Sequence, residues 1–115
     1  MKQAMLVFSL MILWPISAFG DEACEKAREY YRHGVELLRY EDRKEAFRKA
    51  TELCPNYADA FVNLADAHEN LHEYNKAGHY YNKALSIKPG LFAGLVGLAD
   101  CGQRFRMGSS TKQES

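Results

Sequence analysis

A self-similarity at an interval of thirty-four residues constrains this chain more than any other feature. Displaced by that interval, Tyr40 meets Tyr74, Lys49 meets Lys83, Ala50 meets Ala84, Pro55 meets Pro89 and Asp66 meets Asp100. Phe47 meets Tyr81 and Leu53 meets Ile87. The strings F-R-K-A-T-E-L-C-P and Y-N-K-A-L-S-I-K-P share one layout, a helix end followed by a proline that cannot continue it. A period of this length marks a supersecondary unit that cannot bury its apolar face alone and is stable only when stacked on its neighbours.

One unit is complete between Ala58 and Pro89. Phe61, Leu64, Ala65 and His68 recur at helical spacing and share one face. After a turn near Leu71–Glu73, Tyr74, Ala77, Tyr81 and Ala84 form a second stripe. Two antiparallel helices follow, with the alanines allowing close approach and Phe61 and Tyr81 filling the gaps. In these residues the chain resembles the tetratricopeptide repeat, whose pattern W-x2-L-G-x2-Y…A-x3-F…A…P is met at Phe61, Leu64, Ala65, Ala77, Tyr81, Ala84 and Pro89. His68 departs from it, standing where the family often has tyrosine.

The resemblance implies an all-α fold, a right-handed α-solenoid of antiparallel helix pairs with about two and a half repeats. The spacing predicts helices at about 22–38, 42–53, 57–70, 74–86 and 91–106. Repeat 1 covers about 24–57, repeat 2 about 58–91, and a closing helix 92–106, so that 21–106 is one repeat domain and 107–115 a disordered tail. The first helix of repeat 1 fits less well. Arg43 stands where a small residue is usual, and Tyr30, His33, Gly34 and Leu37 match only if the following turn is about three residues shorter. Such a slip is close to one helical turn of 3.6 residues and keeps the same face buried.

The first twenty residues form a separate region. Lys2 is the only charge before Asp21, an apolar run extends from Ala4 to Trp14, and Ala18 and Gly20 supply the small residues of a cleavage site. The run is shorter than the ~20 apolar residues a spanning helix needs. Residues 1–20 are expected to be a signal peptide cut after Gly20, which would send the chain to the periplasm or outside the cell. Retained, the same segment is a membrane anchor. Fifteen basic residues balance fifteen acidic ones in a chain of 115, so no field of one sign favours nucleic acid, and a membrane is a partner only if residues 1–20 remain.

Three cysteines occur. In an antiparallel helix pair the start of the first helix lies beside the end of the second, and Cys24 and Cys54 hold those places. A disulfide between them is expected in an oxidising compartment, two unpaired thiols being the alternative. In the paired tyrosines, Tyr30-Tyr31 and Tyr80-Tyr81, one ring is expected in the core and one at the surface.

His68-Glu69-Asn70-Leu71-His72 spells H-E-x-x-H, which on a helix can hold zinc with glutamate as general base. Here His68 is a packing position and His72 falls where the helix ends. The motif is read as a coincidence, with no catalytic residue, no metal and no cofactor. The resemblance implies instead a protein-interaction module whose first helices line a concave groove. Arg28, Arg32, Asp59, Val62, Asn63, Asp66, Glu69, Val96 and Asp100 would line it, running from basic to acidic. Some members of the family clamp acidic peptide tails with lysine, arginine and asparagine. Asn63 fits that use, but Ala93 and Gly97 stand where the last helix would supply cations. The closing helix carries more apolar residues than one neighbour covers, and Leu91, Leu95, Leu98 and Phe105 are expected to be available for homo-oligomerisation. The functional expectation is therefore an exported adaptor or scaffold for a peptide or protein partner. The alternative is a self-associating, membrane-anchored scaffold subunit of an envelope complex.

Overall fold

The computed structural model describes residues 20–114, with side chains through residue 107, so the expected signal segment lies outside the described residues apart from Gly20. Among the described residues there are five helices and no strand. Helix α1 covers 20–36, α2 Tyr40–Leu53, α3 Ala58–Asn70, α4 Tyr74–Ile87 and α5 Phe92–Glu114. Successive helices pack on one another, and α5 also reaches back across α4 to touch α3. No helix among the described residues is long and apolar enough to cross a membrane.

The helices start and stop for local reasons. Glu41 and Asp42 place carboxylates in the first turn of α2, where they favour the positive end of the helix dipole. Pro55 and Pro89 prevent α2 and α4 from continuing. Helix α3 ends differently. The Glu73 amide donates to the His68 carbonyl and the His72 amide to the Glu69 carbonyl, both at 2.9 Å, around His72 at φ 62°. This is a Schellman closure, which glycine normally supplies because a side chain is strained in the left-handed region.

The core is a row of alanines flanked by rings. Ala27, Ala50 and Ala60 are fully buried near the amino-terminal end, together with Cys54 and against Tyr30, Tyr31 and Tyr57. Phe61, Ala65, Ala77, Tyr81 and Ala84 form the second cluster, with Ile87, Leu91 and Leu98 against it. Phe47 and Tyr81, equivalent in the two repeats, are 4% and 2% exposed. Truncating either to alanine would cost ~3–5 kcal/mol. Cys24 and Cys54 are joined by a disulfide, with Cα atoms 4.8 Å apart. Cys101 is a buried free thiol donating to the Tyr74 carbonyl at 3.2 Å.

Several expectations are corrected. The α1–α2 turn is not shortened: residues 37–39 and 71–73 leave gaps of equal length. Repeat 1 accommodates its irregular pattern through side-chain size. Gly34 lets the Phe47 ring approach so closely that a Cβ there would lie 2.8 Å from the ring. Arg43, too large for its position, turns outward, donating to the Leu37 carbonyl and lying 5.4 Å from the Tyr40 ring centre. Helix α5 is assigned as far as Glu114, past the expected end at 106. The tyrosine pairs divide only in part: Tyr81 is buried, but Tyr30, Tyr31 and Tyr80 are all half-buried. Leu91 and Leu98 pack against the core, leaving Phe92, Leu95, Val96, Phe105 and Met107 as the exposed large apolar residues of α5 among those with described side chains.

Candidate functional site

The residues expected to line a groove fall into an amino-terminal and a carboxy-terminal group. At the amino-terminal end Arg28 and Arg32 of α1 are exposed, as is Asp59 of α3. All three act electrostatically on Tyr57, so they share a neighbourhood. Burial, Tyr31 and Asp59 together push the Tyr57 phenol up. At the other end Asp66, Val96 and Asp100 are exposed and Asn63 is half-buried.

Val62 and Glu69 depart from the expectation. Val62 is 8% exposed and belongs to the core, packed under Gly94 of α5. Glu69 is 5% exposed at the junction of α3 and α5. Its Oε2 accepts a hydrogen bond from the Tyr81 hydroxyl at 3.2 Å. Its Oε1 has no hydrogen-bond partner, and the Arg104 Nε is 4.0 Å away. That same nitrogen is 3.2 Å from Asp100 Oδ2. Burial, reinforced by Asp100, pushes the Glu69 carboxyl above the usual carboxylate range. Asp66 is exposed, yet the protein packed around it desolvates its carboxyl enough to raise it, against Arg43, Asn70 and Arg104. A buried polar atom left unsatisfied costs ~1–3 kcal/mol, so Glu69 is a position where the fold gives up stability.

The periodicity of α3 alone did not signal this, because Glu69 lies off the stripe of Phe61, Leu64, Ala65 and His68. A signal was available in the glycines of α5. A Cβ on Gly97 would lie 2.3 Å from Tyr81 Cε1, so α5 approaches α4 closely enough to roof the end of α3.

The H-E-x-x-H residues do not converge. His68 is 7% exposed, stacks on the Tyr80 ring with centres 5.2 Å apart, and has Nδ1 3.3 Å from Glu73 Oε1. His72 lies beyond the end of α3 in the left-handed region, with Nδ1 2.8 Å from the Tyr74 hydroxyl. The helical i, i+4 placement that zinc chemistry needs is therefore broken by the turn. Burial lowers the His68 pKa, with Glu73 opposing.

No curated protein matches this chain. Residues 58–91 match the family model described as "Tetratricopeptide repeat".

Proposed function

We propose that this chain, in which residues 58–91 match the tetratricopeptide repeat, is an exported adaptor whose first helices bind a peptide or protein partner. Repeats of this family serve protein–protein interaction and are generally not catalytic. The observation that carries the reading is that Arg28, Arg32, Asp59, Asp66 and Asp100, on α1, α3 and α5, stay exposed, with Asn63 half-buried. Their charge polarity would orient a ligand more than it would add affinity. Export is supported by the composition of residues 1–20 and by the Cys24–Cys54 disulfide, a bond that persists in oxidising compartments.

Site-specific photo-crosslinking in the native compartment tests the proposal. A photoreactive residue at Asn63 or Val96 should capture one protein repeatedly. One at Glu52 or Lys83, exposed on the second helices, should not. Capture from all four positions alike, or from none, would refute partner binding on this face. Amino-terminal sequencing of the captured chain tests export: a start at Asp21 is expected, and a start at Met1 would replace the exported adaptor with an anchored one.

A second reading, a self-associating scaffold, is favoured by one feature of α5. Leu95, Leu98 and Ala99 repeat Phe61, Leu64 and Ala65, which α4 covers, yet Leu95 is 49% exposed and Ala99 is exposed. Phe92, Leu95, Ala99 and Gly102 form a stripe at helical spacing on that side. Two antiparallel copies of it place Phe92 against Gly102 and Leu95 against Ala99, a large residue facing a small one in every layer. Sedimentation of the chain over a concentration series decides this reading, with a strict monomer at high concentration removing it.

A further inference from the structure

Helix α1 carries two cations that the chain leaves unanswered. Arg28 and Arg32 are exposed and stand one helical turn apart, so they share one side of α1. Arg39, Arg48 and Arg104 each have a carboxylate partner, but among the described residues neither Arg28 nor Arg32 is in an ion pair, with Glu25 and Glu29 of α1 or with Asp59 of α3. Two half-buried phenols lie beside them. The ring centres of Tyr31 and Tyr57 are 5.2 Å apart, and Tyr31 meets Phe47 of α2 at 5.7 Å, so packing holds both rings in place. Both arginines act on the Tyr57 phenol, which puts their charge in its neighbourhood. The two guanidiniums and the Tyr57 hydroxyl are thus a group of open donors.

The charge at this spot selects the ligand. Of the ionised groups that act on the phenol, Arg28 and Arg32 are positive and Asp59 is negative. The remainder is one positive charge, which one carboxylate balances and a phosphate dianion exceeds. Val35 selects what stands beside that carboxylate. It is 51% exposed and follows Arg28 and Arg32 at helical spacing, on the same side of α1. With a rise of ~1.5 Å per residue, it lies about 7 Å along the axis from the midpoint of the two arginines. Two residues of extended chain span that length, and side chains two apart point the same way.

We infer that this side of α1 receives the side-chain carboxylate of one aspartate or glutamate of the partner, held by Arg28, Arg32 and the Tyr57 hydroxyl, with an apolar residue two positions away resting on Val35. The inference rests on the reading that the first helices bind a partner. Charge-assisted hydrogen bonds to a carboxylate are stronger than neutral ones, and arginine can donate two in parallel.

The experiment is selection of random twelve-residue peptides displayed on phage against the purified chain with its disulfide intact. Binding is then measured with the synthetic peptides, amidated so that the only carboxylates are side chains. Recovered peptides should share one aspartate or glutamate with an apolar residue two positions away. Exchanging that acid for its amide should weaken binding at least tenfold. Arg28→Gln and Arg32→Gln, both at exposed positions, should each weaken it several-fold, and Val35→Ser should remove the preference for the apolar neighbour. Lys26→Gln, which takes the same charge from the side of α1 that Tyr30 and His33 share, should leave the affinity unchanged. An equal loss with Lys26→Gln would mean that net charge alone attracts the peptide, and would overturn the carboxylate seat. Peptides that bind without an acid, or whose affinity ignores the amide exchange and both arginine variants, would overturn it too while leaving a peptide-binding face. Recovery of no peptide would overturn both.

Discussion

At His68 one side chain answers two demands. Its ring fills the place between α3 and α4 where the repeat pattern favours tyrosine, stacking on Tyr80, and burial then lowers its pKa. The unfolded chain takes up the proton near the ordinary histidine value of 6.5, whereas the folded chain takes it up only at lower pH. Between those values the unfolded state binds more protons, so stability falls as pH falls below 6.5. Thermal unfolding at pH 7.5 and pH 5.5 should therefore show a larger loss for the native chain than for His68→Tyr. The difference is at most about 1.4 kcal/mol per pH unit, the limit for one proton. Asp66 and Glu69, whose raised values act in the opposite sense, are common to both proteins and cancel. Equal slopes would mean that His68 does not titrate as described. Periodicity was enough to identify His68, Phe47 and Tyr81 as packing residues, because each lies on the stripe facing its neighbouring helix. It could not identify Glu69 or Val62 as buried, since what covers them is α5, thirty residues further along the chain.

At the scale of elements, the fifth helix separates two uses of glycine. Gly97 sits against the Tyr81 ring, where a Cβ would fall 2.3 and 2.4 Å from ring carbons, while a Cβ on Gly102 would meet nothing within 4 Å. Gly97→Ala should destabilise the chain by ~1–3 kcal/mol through overpacking. Gly102→Ala should stabilise it by ~1 kcal/mol through helix propensity alone. Urea denaturation of both at low protein concentration checks the pair, and a shared sign would contradict the α4–α5 packing. Helices α2, α3 and α4, and the start of α5, were legible in the sequence to within a few residues because proline, the repeat period and the apolar stripes agree there. The turn after α1 was misjudged, since a pattern fit assumes equal side-chain sizes and Gly34 with Phe47 satisfies the packing another way.

For the molecule as a whole, the disulfide sets where stability resides. Cys24 and Cys54 close a loop with a sequence separation of 30, and such a loop is worth ~3 kcal/mol by chain entropy. Reduction, or paired Cys24→Ser and Cys54→Ser, should lower the unfolding midpoint by more than about ten degrees, at ~4–8 °C per kcal/mol for a domain of this size. Amide exchange should show α1 opening first in the reduced chain. A midpoint unchanged by reduction would mean that repeat 1 holds without its crosslink.

The two ends of the array are consequently unequal. One is tied covalently, while the other, α5, is held through α4 and its contact with α3. A partner that bound across α3 and α5 would also pin down α5, so occupancy and anchorage would reinforce one another by linkage. Anything that clasps the outer flank of α5 would tighten the grip on a ligand it never touches.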